Sequence, residues 1–329
     1  MGRFSALSDA GRMSTVLLVA LALVAAVVAV VAVRVRPASP SGSPSIPPVQ
    51  TSSPTPGASG GAQTSAPPTS ASPAGGEQTS AATGAALVQP PLTLLSPKVA
   101  WRASQGTCLT PSAVARSTDG GATWAEAAAP AVGVAQLQSR PPSAVAVIGE
   151  TRACAARAWV SRADGGWGSP QPPTDAWFAS ADRPGVVQSP SGPVPNPCSD
   201  TSRPPVTVQT VASGQGALLC DDGWIYTGDG GSLTRLTRLD DSVALSFLDT
   251  RRAWALITDP STCAGYAVFQ STDGGSSWVR SGCVGRAADR AGGQVPGLAW
   301  ADPRHGMVVT GDATYTSSDG GRTWAAPSR

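Results

Sequence analysis

Ser117-Thr-Asp-Gly-Gly-Ala-Thr-Trp124, Ser271-Thr-Asp-Gly-Gly-Ser-Ser-Trp278 and Ser317-Ser-Asp-Gly-Gly-Arg-Thr-Trp324 are three near-copies of one octapeptide. Two degraded copies, around Asp164-Gly165-Gly166 and Asp229-Gly230-Gly231, lie between the first and the second. From Asp to Asp the steps are 45, 65, 44 and 46 residues, and three of the four match the roughly 40–45 residues of a four-stranded propeller blade. The flanks keep the same register: six residues before each Asp stand Ala113, Ala158, Gly223, Ala267 and Ala313, followed by residues that suit a strand, such as Val114, Trp159, Trp224 and Val268. Ala-Trp pairs at Trp101, Trp254 and Trp300, 18 or 19 residues upstream of the full copies, mark an earlier strand of the same unit. Mechanically the motif is a hairpin: the Asp carboxylate accepts from turn N–H groups, Gly-Gly supplies positive φ, and the Trp leaves on the next strand to pack between sheets.

The repeat resembles the Asp-box (BNR) repeats of sialidases, sortilin-type receptors and the propeller assembly factors of photosystem II, over roughly residues 92–329. In that family the box is a structural hairpin away from the ligand face. The resemblance therefore gives Ser117, Asp119, Gly121 and Trp124, Ser271, Asp273, Gly275 and Trp278, and Ser317, Asp319, Gly321 and Trp324 structural roles, with Asp164 and Asp229 as their degraded counterparts. The second copy has Arg162 in place of Ser; the third has Thr227 for Ser and Thr234 for Trp. The expected fold is an all-β propeller of about five four-stranded blades, six if residues near the stalk add an incomplete one. The long 65-residue step reads as an inserted loop near 169–206.

Ahead of the repeat lies an apolar run, residues 16–33, bounded by Arg12 and Arg34. As a helix it would span about 27 Å, close to the hydrocarbon thickness of a bilayer. It is long and leads straight into Arg34-Val35-Arg36, so an uncleaved signal anchor is expected rather than a cleaved leader. Residues 1–13 are then a cytoplasmic tail, 14–33 a single membrane pass, and 34–91 a Pro/Ser/Thr/Ala-rich disordered stalk. Between Pro37 and Pro91 the only charge is Glu77 and there is no aromatic residue, so nothing there can build a core. As a coil the stalk would average roughly 40 Å, rising to about 170 Å fully extended.

Flanking arginines stand on both sides of the span, so the positive-inside rule is nearly balanced and the cysteines decide the orientation. Cys108, Cys154, Cys198, Cys220, Cys263 and Cys283 all lie in the C-terminal part, with no C-x-x-C pair. An even, well-spaced set fits three disulfides outside the cytoplasm. Six cysteines admit 15 pairings; pairing in sequence order is the preferred reading, with Cys263–Cys283 the best pair because its loop brackets one hairpin.

Charged residues make up only 13% and the net charge is +2, which leaves no footprint for a nucleic-acid partner. A sialidase-type reaction needs a carboxylate acid/base, an activated Tyr and an Arg cluster. The head offers only Glu126 and Glu150, its Tyr residues are Tyr226, Tyr266 and Tyr315, and the Arg-Ile-Pro signature does not occur. Asp221-Asp222, Asp240-Asp241 and Arg251-Arg252 are sequence neighbours that a strand would point to opposite faces, and His305 is the only His. No catalytic residue, metal set or cofactor is assigned. The expected function is a membrane-tethered extracytoplasmic binding or scaffold propeller for an envelope protein, peptide or cell-wall glycan, with Trp177 and Phe178 of the insertion as ligand-contacting residues. The alternatives are an exo-glycosidase of sialidase-like type and a structural envelope protein.

Overall fold

The computed structural model describes residues 88–329 except 141, 163–165, 181, 213, 292–293, 312 and 328–329. The cytoplasmic tail, the membrane pass and all of the stalk but its last four residues lie outside the described residues, as does Asp164. Among the described residues no helix is long and apolar enough to cross a membrane.

Short strands rich in Val, Ala, Leu and Trp alternate with Gly- and Asp-rich turns, and each run folds as an antiparallel meander. The first sheet is β1 (Leu92–Leu94), β2 (Ala100–Ala103), β3 (Val114–Ser117) and β4 (Ala125–Ala127). The second is β5 (Gly133–Arg140), β6 (Ala144–Glu150) and β7 (Ala156–Val160), extended by bridges from Ser161 to Trp167 and from Ala158 to Gln171. The third is β8 (Phe178–Ala179), β9 (Val186–Ser189) and β10 (Gly192–Pro195). Then come β11 (Thr207–Ala212), β12 (Gln215–Leu219), β13 (Trp224–Asp229) and β14 (Ser232–Arg238), and β15 (Ser242–Phe247), β16 (Ala253–Ile257), β17 (Tyr266–Ser271) and β18 (Val279–Val284). A short helix α1 (Ala287–Ala291) precedes the last sheet, β19 (Gly297–Trp300), β20 (Gly306–Thr310) and β21 (Ala313–Ser317), with a bridge from Thr316 to Ala325.

The first strand of each sheet touches the first strand of the next, and these contacts close a ring: β1 touches β5, β5 touches β8, β8 touches β11, β11 touches β15, β15 touches β19, and β19 returns to β1. This is a propeller of six sheets, not five. The sixth does not come from the stalk. It is the segment 169–206 that the sequence reads as an inserted loop, and the 65-residue step holds it because this sheet is short and lacks a strand.

Which strand is missing follows from the contacts at the two ends of β5. Asp175 meets Arg140 at the end of β5 (2.9 Å), whereas Ser180 donates to Glu150, which pairs with Gly133 at its start. The chain from 175 to 180 therefore runs antiparallel to β5, so the third sheet has no inner strand running with β5. β5 and β11 come into direct contact across the gap. Side chains complete the ladder there: Gln136 accepts from the Thr210 N–H (2.7 Å) and donates to the Trp177 carbonyl (3.0 Å), satisfying backbone groups that would otherwise be orphaned.

The core lies between sheets. Trp124 packs with Leu94, Ala299 and Met307, Trp278 with Ile225, Phe247 and Ala253, and Trp324 with Trp254, Val268 and Trp300. Each motif Trp thus leans back onto the preceding sheet, as the motif's mechanics require. Trp254 and Trp300 stack at 3.9 Å, and Trp324 meets Trp300 edge-on at 5.8 Å.

Candidate functional site

The ring has two unlike ends. In the three full repeats the Ser hydroxyl donates to the Asp carboxylate and accepts from the second Gly N–H: Ser117 from Gly121 (2.8 Å), Ser271 from Gly275 (2.8 Å), Ser317 from Gly321 (2.9 Å). The Asp in turn accepts from the backbone and hydroxyl of Thr123, Ser277 or Thr323. These hydroxyl and N–H donors hold Asp119, Asp273 and Asp319 down at about 2. The first Gly of each turn donates to the turn after the inner strand, at Lys98, Arg251 and Arg304. All three turns therefore sit at the end where the inner strands finish, and their carboxylates are fully engaged in the hairpin. Asp229 departs from this pattern: it pairs with Ser232 across a tight hairpin closed through backbone, because Thr227 and Thr234 replace the Ser and the Trp.

The opposite end carries the remaining loops and all three disulfides, Cys108–Cys154, Cys198–Cys220 and Cys263–Cys283. The pairing follows sequence order. Cys108–Cys154 ties the β2–β3 loop to the β6–β7 loop. Cys198–Cys220 ties the β10–β11 link to the β12–β13 loop, and Cys263–Cys283 ties the β16–β17 loop to β18. On the first of these loops Leu109 stands 82% exposed beside Cys108.

Between the ends runs a channel of about 380 Å³ lined by the inner strands. Its mouth at the disulfide end is spanned by Gln89, whose N–H donates to Val206, carbonyl accepts from Gln105 (2.8 Å), and side chain bonds Leu298, Thr207 and the Leu245 N–H (2.9 Å). Gln209 similarly brackets Phe247 through both its N–H and its carbonyl. Further along, Gln138 donates to Thr210 (2.7 Å) and accepts from Arg140 (3.0 Å). The channel is thus lined by amides that cross-link the sheets.

Trp177 and Phe178, expected on the ligand face, are 1% and 3% exposed. Trp177 is a wedge between the third and fourth sheets, lying flat on Gly216 and Gly228, where a Cβ would fall within 2.4 and 2.5 Å of its ring. The glycines make room for the ring, so its surface belongs to the core and not to a ligand.

The titratable residues singled out by the sequence do not converge. Glu126 is exposed on β4. Glu150 is buried at the channel wall, pushed above the usual carboxylate range by burial, against the pull of its bond from Ser180 and with the help of nearby Asp182. Tyr226 donates to the Pro197 carbonyl, Tyr266 to the Asp289 carbonyl, and Tyr315 to the Asp289 carboxylate (2.7 Å). Burial, reinforced by Asp289, raises both Tyr266 and Tyr315, opposite to what an ionised nucleophile requires. Asp222 caps the Trp224 N–H, Asp240 pairs with Arg238, Arg252 with Asp249, and His305 with Asp302 (2.8 Å). The sulfurs of Cys108 and Cys154 do lie near the Asp182 carboxylate, but they are joined to each other and offer a metal no thiolate.

Sequence reasoning passed over Gln89 and the channel glutamines, because an amide carries no motif. The only available signal was Gln at alternate positions, Gln136 and Gln138, beside the apolar Val134, Ala135 and Leu137.

No family model matches the sequence, and no curated protein matches it. Solved structures resembling it include YCF48 from Cyanidioschyzon merolae, 16% identical with a TM-score of 0.40 over 73% of this chain and 85% of that one. YCF48 bound to D1 peptide is 14% identical with a TM-score of 0.37, covering 74% and 81%. The tricorn protease is 9% identical with a TM-score of 0.42, covering 73% of this chain and 26% of the other. At such scores none of them speaks for a ligand or an activity, and the propeller rests on the closed ring of six sheets.

Proposed function

We propose that this protein is a membrane-tethered, extracytoplasmic binding propeller whose disulfide end recognises a protein or peptide. The observation that carries this reading is the gathering of all three disulfides at one end of the ring, where they tie that end's loops to one another and to the outer strand β18. Loops fixed in this way lose little freedom when a partner docks, which saves about 0.5–1.5 kcal/mol per side chain already immobilised. The bonds also presuppose an oxidising compartment, in accord with the apolar span at 16–33 acting as a signal anchor. Leu109, exposed on a loop closed by a disulfide, supplies the apolar contact that the buried Trp177 does not.

Photocrosslinking in cells tests the reading. A crosslinking residue at position 109 is expected to capture one envelope protein, identified by mass spectrometry. The same residue at position 160, exposed at the end of β7 on the far side of the ring, is expected to capture none. Equal capture from both positions, or none from 109, rejects the assignment of the binding face. Fractionation of the full chain with the membrane, and its loss from the membrane on deletion of 14–33, tests the tether.

A further inference from the structure

The three disulfides differ in what faces their sulfurs. Cys198 and Cys220 are both buried, 6% and 0% exposed. The other two bridges each join one buried sulfur to one exposed cysteine: Cys108 to Cys154, and Cys263 to Cys283. Their neighbours carry opposite charge. At the first, the Asp182 carboxylate lies 3.0 Å from Cys108 Sγ. At the second, the Arg280 guanidinium lies 3.2 Å from Cys263 Sγ and 3.1 Å from Cys283 Sγ, steadied by the Thr262 carbonyl at 3.2 Å. Arg280 reaches both sulfurs because β18 is the outer strand of its sheet and a bulge at Ser281 turns Arg280 and Cys283, three residues apart, to the same face.

A disulfide opens when a thiolate attacks one sulfur and the other leaves as a thiolate, so the charge beside the leaving sulfur sets the rate. We propose that Cys263–Cys283 is an exchange-active disulfide, activated by Arg280 and opened by an external dithiol. The dithiol's thiolate attacks the exposed Cys283 Sγ. A new S–S bond forms to Cys283, the Cys263–Cys283 bond breaks, and its electron pair goes to Cys263 Sγ as a thiolate beside the guanidinium. The dithiol's second thiolate then attacks its own first sulfur and expels the Cys283 thiolate. The protein gains two electrons, the dithiol leaves as a cyclic disulfide, and its two protons pass to solvent or to the new thiolates. The same sequence at Cys154 would expel Cys108 as a thiolate against the Asp182 carboxylate, which opposes it. Opening Cys263–Cys283 releases the 258–265 loop from β18 while the other two disulfides hold, so one part of the disulfide end becomes mobile on a reducing signal.

The test is differential alkylation of the full chain after a graded exposure to dithiothreitol, with each cysteine peptide quantified by mass spectrometry. Cys263 and Cys283 are expected to become alkylatable first, with the other four still paired. Arg280→Gln, which keeps an amide donor but removes the charge, should slow opening by about fivefold, Arg280→Lys should retain most of the rate, and high salt should narrow the difference. The rate at Cys108–Cys154 serves as the control for an intact fold in each variant. The proposal is overturned if either other bridge opens first or together with Cys263–Cys283. It is equally overturned if Arg280→Gln opens at the wild-type rate, which would mark exposure alone as the cause.

Discussion

Single residues decide the fit between the third and fourth sheets. Trp177 fills the space between these sheets, and the facing residues of β12 and β13 are Gly216 and Gly228 because any side chain there would strike the indole. Trp177→Ala is expected to cost about 3–5 kcal/mol, read as a lower urea midpoint at unchanged slope; a loss under 1 kcal/mol would show that the site collapses without it. Gly216→Ala should destabilise by roughly 1–3 kcal/mol through overpacking. Glu150 makes a prediction of opposite sign. Burial raises its folded pKa above the unfolded value, so its contribution to stability is present at low pH and is lost as pH rises through the folded pKa. Glu150→Gln should therefore match or exceed the parent in stability at pH 7 and flatten the pH dependence between mildly acid and neutral pH. A large loss at neutral pH would refute this.

Among the elements, the Ser-x-Asp-Gly-Gly hairpins are the most regular. In each, one Ser oxygen partners a buried Gly N–H, so Ser271→Ala leaves the Gly275 donor unpaired and is expected to cost roughly 1–3 kcal/mol. The three Asp carboxylates sit at about 2 in the folded chain, below the unfolded value of about 3.9. Because the folded pKa is depressed, the stabilisation is complete above the unfolded value and is lost as pH falls through about 2. Urea midpoints from pH 5 down to 2 should fall more steeply for the parent than for a chain carrying Asp119→Asn, Asp273→Asn and Asp319→Asn, which starts lower at neutral pH. Parallel curves would exclude the hairpins as the acid-sensitive elements. The hairpins were legible in the sequence because every group they need lies within eight residues. The third sheet was not, since its strands are two to four residues long and one of them carries Pro193 and Pro195, so neither the period nor the strand pattern marks it.

For the whole molecule the question is how a ring with a missing strand stays closed. The first and last sheets are each formed from one terminal stretch, so closure depends on β1 packing against β19 and on side chains that cross the channel. Gln89 bonds to the neighbourhoods of β11, β15 and β19 at once. The propeller therefore begins at least three residues before Leu92, where the sequence reading placed its boundary. A chain beginning at Leu92 is expected to melt lower than one beginning at Val88, with faster amide exchange at Leu245. Identical melting and exchange would show that Gln89 rests on a ring already closed.

By itself the sequence determined the all-β class, the blade period and the role of each motif Trp, whereas it left 15 disulfide pairings open and the structure selected the one in sequence order. Each of these is written either as a local hydrogen-bonding pattern or as a repeat that a reader can align. Only the tertiary structure decided the number of sheets, the burial of Trp177 and Phe178, the role of Gln89 and the charge facing each disulfide. Those depend on residues distant in sequence meeting across the ring, as Gln89 does with Leu298 and Asp182 with Cys108. A buried indole and an exposed one have the same spelling, and what separates them here is a pair of glycines some 40 to 50 residues further along the chain.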